Sequence, residues 1–591
     1  MTDYFMFEKI KKLIENFWHW PILIILAVGF FIGAGSYNHF VQKDDFVKWS
    51  SPDETANYTF TKLYAQEGKL QVFEKYNLYA KDIIRPRSLR SDFGIMKPVS
   101  FLGIILIFGS IAKLIGSGFI PFLTPFFGGI GIIFFYLFVK ELFGRRNALI
   151  SVLLLASFPV FIYYSARSMF HNVLFIVLFI IGLYFSVLMG GKRLVRKFDW
   201  SGFLFSAFAG FFIGLAIITR TSELIWMAPA LSIAWIFNIR QVGIFKLVIF
   251  FSFVFLALSP VFYFNQILYG SPIFGGYAEM NTSIESIKEA SANLAKHSLS
   301  GQSSYVENLL IKLRDNIFYF GFHPRHSLKM LYFYFAKMFP FIFWPSILGF
   351  FVFLYNWRKL KKRHIVFALS YLAASIILVF YYGSWKINDN PDPNQMTIGN
   401  SYTRYWLPVY LGAFPFVSLL ILRLTDFKAK NHIADKISYY ARFILSFGLR
   451  IVSIGFIFYI SMNLILRGSD EGLLNTYKVQ RAAKMEYDKV LSLTEGNSVI
   501  ITKYHDKLFF PERKVIMGLF TDDNMNREYA NLAKLIPVYY YNFTFPEKDI
   551  DYLNNKRLPQ FGLEIKEVEK ISDSFTLYKL DLKKINHVIN D

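Results

Sequence analysis

Long apolar runs are the feature that most constrains how this chain folds. Each run is close to the roughly 20 residues that an α-helix needs to cross the hydrocarbon core of a bilayer. Backbone groups inside lipid must find hydrogen bonds within their own segment, so the runs are expected to be helices. The sequence therefore predicts an α-helical polytopic membrane protein. About 11 transmembrane helices are expected, at 17–40, 120–139, 147–165, 172–189, 201–219, 224–239, 246–265, 337–356, 365–384, 405–422 and 443–466.

The amino-acid composition supports this fold class, and the distribution of basic residues limits the interpretation of the net positive charge. Of 591 residues, 54% are hydrophobic and 18% are charged, whereas about 25% charged residues is usual for soluble domains. The net charge of +22 lies mainly in short loops between apolar runs. That distribution is typical of cytoplasmic loops in contact with anionic lipids, and it argues against nucleic-acid binding. The absence of cysteine excludes disulfides, thiolate metal sites and thiol catalysis.

Basic loops determine the predicted orientation. Alternate loops are rich in Lys and Arg, and because cytoplasmic loops carry this excess, the N-terminus is expected inside. The same alternation puts 41–119, 266–336 and the C-terminal tail outside a cytoplasmic membrane. The predicted inner residues are Lys9, Lys11, Lys12, Lys140, Arg145, Arg146, Lys192, Arg193, Arg196, Lys197, Arg240, Arg358, Lys359, Lys361, Lys362, Arg363, Arg423, Lys428, Lys430, Lys436 and Arg442.

Two stretches outside the runs need a separate interpretation. Segment 99–116 is apolar, but a crossing there would put Gly144-Arg145-Arg146 outside, so we predict an interfacial helix on the outer side. The tail alternates short β-type runs with a helical stretch, which predicts a small extracytoplasmic α/β domain. The predicted domains are thus 1–466, transmembrane and catalytic, and 467–591, soluble. Strands are expected near 498–502, 514–517, 538–541 and 576–578, with a helix at 524–535.

The pair Asp53-Glu54, soon after the first run, is the leading catalytic candidate. A desolvated carboxylate can take the proton of an acceptor hydroxyl as that hydroxyl attacks. Adjacent helical residues do not share a face, so one carboxylate is expected to face substrate while the other orients the loop. Asp53 is our choice for the base, and Tyr58 in the same segment is a secondary candidate. The alternative is a solvated pair or a helix N-terminal cap.

A basic set follows in the same predicted outer loop. A prenyl phosphate or pyrophosphate leaving group needs its charge neutralised as the glycosidic bond breaks. Arginine offers bidentate geometry for a phosphate, and lysine offers a point charge. Donor binding is therefore predicted here, with adhesion to lipid headgroups as the alternative. The set is Arg85, Arg87, Arg90 and Lys97.

Ionisable residues also lie at the ends of several apolar runs, all on the predicted outer side. Such groups are costly near membrane depth and usually face a cavity or a partner. Their convergence predicts donor-phosphate binding, whereas the alternatives are interfacial snorkelling and a structural Arg220–Glu223 pair. The predicted residues are Arg167, Arg220, Arg404 and Tyr405, with His171 as a secondary candidate on the same side.

These motifs resemble those of the GT-C membrane glycosyltransferases. The closest branch is glycosyltransferase family 39, with the protein O-mannosyltransferases and the aminoarabinose transferases of lipid A. The resemblance covers roughly residues 15–420 and rests on the order and spacing of short motifs. The motifs are Asp53-Glu54-Thr55, Lys97-Pro98, Phe143-Gly144-Arg145-Arg146 with a small-residue span to Pro159, Gly214-Leu215-Ala216 with Thr219-Arg220, and Arg404-Tyr405-Trp406-Leu407-Pro408.

The resemblance implies a sugar donor on a polyprenyl phosphate, Asp53 as the catalytic base and Lys97 as a lipid-phosphate contact. Two positions depart from the family pattern. Ala56 and Asn57 follow Thr55 where aminoarabinose transferases have an Arg, and His171-Asn172 stands where many relatives have an acidic residue.

The sequence thus predicts an inverting transferase that moves a hexose or pentose from a polyprenyl-phosphate donor to a hydroxyl. The acceptor is left open between lipid, glycan and protein. No Walker-type phosphate loop or metal-ligand cluster is present, so no cofactor is specified, although a divalent cation stays open. A membrane transporter or lipid-linked sugar flippase is one alternative, which inverted repeats would favour. A non-catalytic sugar-binding subunit is another.

Overall fold

A computed structural model describes residues 19–43, 46–190, 199–277, 281–282, 285, 320–390, 392, 394–426, 436–468 and 470–583. The helices are α1 (His19–Val41), α2 (Pro52–Glu67), α3 (Leu102–Ile115), α4 (Ile120–Phe143), α5 (Arg145–Ala156), α6 (Pro159–Ala166), α7 (His171–Met189), α8 (Trp200–Thr219), α9 (Leu224–Val242), α10 (Ile244–Tyr269), α11 (Pro324–Leu331), α12 (Pro340–Tyr355), α13 (Lys362–Gly383), α14 (Ser401–Tyr405), α15 (Leu407–Thr425), α16 (Lys436–Arg467), α17 (Leu473–Leu493), α18 (Asp506–Phe509), α19 (Asp523–Ala533) and α20 (Glu547–Tyr552). The strands are β1 (Val72–Phe73), β2 (Leu89–Asp92), β3 (Ile95–Pro98), β4 (Val499–Thr502), β5 (Lys514–Met517), β6 (Val538–Phe543), β7 (Leu563–Lys570) and β8 (Phe575–Leu582).

Some sequence predictions fall outside the described residues. They concern Lys9, Lys11, Lys12, Lys192, Arg193, Arg196, Lys197, Lys428, Lys430 and most of the middle of loop 266–336.

Long apolar helices confirm the predicted fold class. In the described part of the chain, nine helices are long and apolar enough to cross a membrane, and counting each of two bent helix pairs as one span gives up to 11. These elements correspond to the predicted runs. The chain is therefore a multi-span helical membrane protein. The spans are α1, α4, α5 with α6, α7, α8, α9, α10, α11 with α12, α13, α15 and α16.

A proline marks each of the two bends. Helices α5 and α6 meet at 51° just before Pro159, and α11, continued as a π-helix over Tyr332–Lys337, meets α12 at 102° just before Pro340. Proline lacks the N–H that would bond to the preceding turn and is favoured at the first helical position. The chain can therefore restart in a new direction at both places.

The described chain divides into two compact units. The helical unit comprises the described residues within 1–38, 121–261 and 279–476, and the α/β unit those within 39–120, 262–278 and 477–591. The segment that carries Asp53 and the C-terminal tail are therefore parts of the same unit.

Pairs of long helices form the helical unit. Helix α7 packs along α8, α9 along α13, and α15 against both α5 and α12. The approach of α12 to α15 is close because Gly349 faces the backbone of Phe416 with no room for a Cβ. Small residues at such crossings let membrane helices approach and gain van der Waals contact.

A mixed five-stranded sheet forms the main core of the α/β unit and confirms the predicted α/β tail. Its strand order is β5-β4-β6-β8-β7, with β4 parallel to β5 and β6, and β8 antiparallel to β6 and β7. Helix α19 corresponds to the predicted helix, whereas α17 and β7 were not predicted. The apolar cluster around this sheet includes Ala80 and Ile84 from the segment before β2, so two distant parts of the chain share one core.

A smaller sheet, ordered β1-β3-β2 and wholly antiparallel, completes the α/β unit. Its β2–β3 hairpin turns at Phe93-Gly94, where φ is +51° and +81°, as a type I′ turn requires. The Asp82 carboxylate accepts hydrogen bonds from both backbone N–H groups, at 2.8 and 2.7 Å. Beyond β3, α3 is a short apolar helix; its outer, interfacial location stays a prediction.

Candidate active site

The acidic pair lies in the first turn of α2, where its two members have different environments. Ser51 is the N-cap, and its Oγ accepts a hydrogen bond from the Asp53 N–H at 3.3 Å. The Glu54 carboxylate accepts from the Ser51 N–H at 2.8 Å, which completes a capping box. Glu54 is buried in that role, whereas Asp53 is half-buried. The geometry therefore leaves Asp53 as the member with access to a substrate.

Ser88 fixes the orientation of the Asp53 carboxylate. The Ser88 hydroxyl donates a hydrogen bond to Asp53 Oδ1 at 2.6 Å. Ser88 has a φ of +62°, a conformation uncommon for residues other than glycine. The loop before β2 must therefore be held firmly for this contact to persist. No sequence signal distinguished Ser88 from other loop serines.

Tyr58 lies on the same helix and packs on Trp49, with ring centroids 5.6 Å apart. Burial, reinforced by the carboxylate of Glu512, raises the pKa of Tyr58 to about 12. Its hydroxyl therefore stays protonated at neutral pH and can donate a hydrogen bond, but it is a poor proton acceptor from an alcohol.

Every member of the predicted basic set has a partner within the α/β unit. Arg85 Nη1 donates to the Leu89 carbonyl oxygen at 2.8 Å. Arg90 and Lys97 both pair with Asp92, at 2.9 and 2.7 Å. Arg87 pairs with a carboxylate of the C-terminal segment, as described below. Arg85 and Arg90 are exposed, so they can still approach a solvent-side phosphate.

Lys97 has further contacts besides Asp92. Its Nζ also donates to the Leu268 carbonyl oxygen at 2.6 Å and lies 5.3 Å from the Tyr269 ring centroid. The Tyr269 hydroxyl donates to the Pro98 carbonyl oxygen at 2.5 Å, and Gly276 packs against the same backbone without room for a Cβ. Two of the three N–H donors of the Lys97 ammonium therefore have protein partners, at Leu268 and Asp92.

Three predicted arginines converge within the helical unit. The guanidinium carbons of Arg167 and Arg404 lie 5.4 and 4.5 Å from the Phe170 ring centroid. Those of Arg220 and Arg404 lie 4.8 and 5.2 Å from the Tyr405 ring centroid. Cation–π contacts of this kind are worth about 0.5–2 kcal/mol each. Two aromatic rings therefore hold three cations together, and we call Arg167, Arg220 and Arg404 the arginine cluster.

Members of the arginine cluster differ in their polar partners. Arg220 Nε donates to Glu223 Oε1 at 2.7 Å, and the Tyr382 hydroxyl donates to the same oxygen at 2.7 Å. The Arg220–Glu223 pair considered from the sequence is thus formed. Arg167 Nη1 instead donates to the Tyr163 hydroxyl at 2.9 Å. Arg404 Nη2 donates to Ser401 Oγ at 2.7 Å.

Two further residues lie beside the arginine cluster: His171, which the sequence analysis predicted as a secondary site residue, and Glu471, which it did not predict. His171 is the buried first residue of α7, and its neighbour Asn172 donates to the Arg404 carbonyl oxygen at 3.2 Å. Glu471 was not predicted. Burial raises the pKa of its carboxyl group, while a hydrogen bond from Thr397 and the charge of Arg167 oppose the shift. Glu471 is an acidic residue just after an apolar run, and the same sequence feature identified Asp53 as a candidate.

The helical unit also contains a partly open apolar cavity. Its volume is about 530 Å³, and its walls come from α4, α7, α9, α13 and α15. Side chains such as Phe179, Trp226 and Phe367 line it, and none of the predicted site residues do. The cavity suits a hydrocarbon chain better than a charged group.

Within the described ranges, no three His, Asp or Glu side chains form a group that could hold a metal ion. Involvement of a divalent cation therefore stays a prediction without a site assigned to it.

Comparisons with known proteins identify similar folds. Residues 102–264 match the model of the dolichyl-phosphate-mannose-protein mannosyltransferase family. No curated protein sequence matches the chain. The oligosaccharyltransferase of Archaeoglobus fulgidus, tethered with an acceptor peptide containing the NVT sequon, is similar with a TM-score of 0.56 and 15% identity over 92% of this chain and 70% of that one.

Two lipid-bound structures are also similar. In one, AglB of Archaeoglobus fulgidus is in complex with an inhibitory peptide and a dolichol-phosphate; the TM-score is 0.53, with 14% identity over 98% of this chain and 75% of that one. In the other, ArnT from Cupriavidus metallidurans is bound to undecaprenyl phosphate; the TM-score is 0.51, with 12% identity over 95% of this chain and 98% of that one. At these identities the matches establish the fold.

Proposed function

This chain has the fold of the GT-C membrane glycosyltransferases, and from that premise we propose that it transfers a sugar from a polyprenyl phosphate to an acceptor hydroxyl. The observation that carries the proposal is the difference within the acidic pair. Glu54 is buried in the cap of α2, while Asp53 is half-buried and oriented by the Ser88 hydroxyl. A carboxylate held in this way is suited to accept a proton.

Asp53 is the general base in the proposed reaction. It takes the proton of the acceptor hydroxyl while the oxygen attacks the anomeric carbon from the face opposite the phosphate. The bond from the anomeric carbon to the phosphate oxygen breaks, so the configuration of the sugar inverts and the polyprenyl phosphate leaves as an anion. General-base catalysis of this kind contributes about 10²- to 10⁴-fold to a rate.

The arginine cluster binds the phosphate of the donor. Guanidinium groups match phosphate geometry and keep their charge at every physiological pH. Their fixed positions against Phe170 and Tyr405 reduce the reorganisation needed as negative charge develops on the leaving group. Lys97 and Arg85, which belong to the α/β unit, remain predicted donor contacts.

A lipid-linked donor is supported by two further observations. The apolar cavity of the helical unit offers surroundings suited to a hydrocarbon chain. The similar structures of AglB and ArnT hold dolichol-phosphate and undecaprenyl phosphate. We infer that the reaction takes place on the outer face of the cytoplasmic membrane, with the N-terminus inside and residues 467–591 outside.

Lipid analysis of membranes with and without the gene tests the donor class. Deletion should lead to accumulation of one prenyl-phosphate sugar, identified by mass spectrometry, and the wild-type gene should remove it. If no such lipid accumulates and transfer to cell-envelope acceptors is unchanged, the proposed donor class is wrong.

The variant Asp53→Asn tests the base. It should lower transfer by about 10²- to 10⁴-fold and leave the melting temperature of the purified chain nearly unchanged, because the amide keeps the shape of the carboxylate. Glu67→Gln makes the same chemical change at the exposed end of α2 and should retain full transfer. Normal turnover by Asp53→Asn would contradict the proposed mechanism.

A further inference from the structure

We propose that the C-terminal segment positions the catalytic base, with Asp506 acting on Asp53 through Arg87 and Ser88. This inference rests on the proposed function of Asp53. It gives residues 477–583 a role in the chemical step although none of them needs to touch the substrate.

The chain of contacts begins at Asp506. This carboxylate is fully buried, with 0% of its side chain exposed. Oδ2 accepts a hydrogen bond from the Arg87 backbone N–H at 2.8 Å, and Oδ1 accepts from Arg87 Nη2 at 2.7 Å. A buried carboxylate needs such compensation. Because both the side chain and the backbone of Arg87 bind the same carboxylate, Asp506 fixes the main chain at this position.

The next residue transmits that position to the base. Ser88 follows Arg87 directly, has a φ of +62° and donates its hydroxyl hydrogen to Asp53 at 2.6 Å. Arg87 Nη2 also approaches the Tyr504 carbonyl oxygen at 3.3 Å. The strained backbone of Ser88 is thus supported on its N-terminal side by two residues of the C-terminal segment.

A second set of contacts supports the other flank of Asp53. Lys48 Nζ donates to the Phe510 carbonyl oxygen at 2.7 Å and pairs with Glu512. Gln480 Nε2 donates to Ser50 Oγ at 2.9 Å. Ser50 directly precedes Ser51, the cap of α2, so the C-terminal segment also holds the start of the helix that carries the base.

Positioning of this kind has a direct effect on rate. A displacement of about 1 Å at a reacting group can cost on the order of 100-fold. Loss of the Asp506 contacts would let the Arg87-Ser88 backbone relax and move the hydroxyl that orients Asp53. Proton transfer would then slow, while binding of the donor phosphate, which in our proposal depends mainly on the arginine cluster, would change little.

The test compares two carboxylate variants in the full-length protein in phospholipid nanodiscs. Asp506→Asn removes the charge that binds Arg87. Glu528→Gln is the matched control, since the mostly buried Glu528 pairs with Lys81 at 2.7 Å and also joins the two segments, but through Lys81 and not through Arg87 and Ser88. The donor probe is the lipid extract of membranes from cells that lack the gene.

We expect Asp506→Asn to lower kcat by at least about tenfold with the apparent KM for the donor extract unchanged within about twofold. Glu528→Gln should retain kcat. Ser88→Ala, a smaller change that keeps the Arg87–Asp506 pair, should also lower kcat. In the double variant Asp506→Asn with Ser88→Ala, kcat should be no lower than in the slower single variant, because both act on the same contact.

The inference is overturned if Asp506→Asn retains kcat, if Glu528→Gln loses as much, or if the effects of Asp506→Asn and Ser88→Ala simply add. Asp53→Asn, measured in the same assay, distinguishes failure of the proposed function from failure of the positioning role. If that variant is active, the proposed function itself fails. If it is inactive while Asp506→Asn matches Glu528→Gln, only the positioning role is wrong.

Discussion

The arginine cluster of the helical unit and the surroundings of Asp53 in the α/β unit are built in opposite ways. In the arginine cluster, two buried cations and one half-buried cation lie over two aromatic rings, and the partners of Arg220 are three residues away or on a neighbouring helix. Around Asp53, the decisive contacts come from a loop that is itself held by a residue 419 positions further along the chain. The first arrangement is intrinsic to its helices, and the second depends on distant support.

This difference indicates where each part is vulnerable. Removing a member of the arginine cluster changes the charge balance of a buried environment, so stability and phosphate binding should both suffer. Around Asp53, exposed charges can be lost at little cost, whereas loss of the distant support should affect turnover. The following predictions test that contrast, from the largest expected effect to the smallest.

Arg220→Ala should be the most destabilising of these changes. It leaves Glu223, which is 2% exposed, without its cation, and breaking a buried pair in this way costs about 3–5 kcal/mol. The matched change Arg90→Ala in the α/β unit removes a pair whose members are 44% and 31% exposed and should cost about 1 kcal/mol or less. Thermal unfolding in detergent measures both. Equal losses of stability in the two variants would show that the ion pairs of the two units do not differ in the proposed way.

Acidification should weaken the α/β unit through His505. Burial, and then the charge of Lys507, lowers the pKa of His505 from 6.5 to about 4; Arg87 acts in the same direction and Asp506 opposes it. Glu486 lies 4.0 Å away. Between pH 6.5 and about 4 the unfolded chain binds a proton that the folded chain does not, so stability falls as the pH falls through this range.

The expected loss from this histidine is about 2 kcal/mol between pH 7 and pH 5. Hydrogen exchange in the strands of the α/β unit measures its free energy of unfolding at each pH. This free energy should fall with decreasing pH in the wild type and should fall less steeply in His505→Gln. An identical slope in the two proteins would show that other groups are responsible.

Arg404→Lys should weaken donor binding about tenfold. Lysine keeps the charge but loses the guanidinium that lies over Phe170 and Tyr405, and such cation–π contacts are worth about 0.5–2 kcal/mol. Binding of undecaprenyl phosphate to the purified chain measures the effect. The control is Arg358→Lys, which changes a guanidinium 5.5 Å from the Trp357 ring centroid in the same unit and should leave binding unaltered. Similar losses in both would argue against a specific phosphate site.

The spans were predictable because lipid imposes a simple requirement on length and polarity. Each apolar run corresponds to a helix or to part of a bent helix pair, but the hydropathy of 147–165 and 337–356 gave no indication of a bend. The bends at Pro159 and Pro340 depend on a missing backbone donor, which a hydropathy pattern does not register. The strands at 499–502, 514–517 and 538–543 were accessible for a similar reason, since they are rich in β-branched or aromatic residues.

Other elements were beyond local sequence patterns. Strand β7 has the sequence Leu-Glu-Ile-Lys-Glu-Val-Glu-Lys. It lies at the edge of the sheet and pairs on one side only, and its many charged residues are not typical of a strand, so it was not predicted. The arginine cluster could be proposed because each member lies at the end of an apolar run. The Arg87–Asp506 pair could not, because an isolated aspartate in a tail gives no indication of its partner.

The discontinuity of the α/β unit has a consequence for synthesis. At about 5–20 residues per second, a ribosome needs on the order of tens of seconds to extend the chain from Arg87 to Asp506. During that interval the nascent protein already contains its acidic pair and most of its membrane helices, but not the carboxylate that secures the loop. If Asp506 has the positioning role proposed above, a half-made chain would turn over slowly, and full turnover would begin only after translation has passed Asp506.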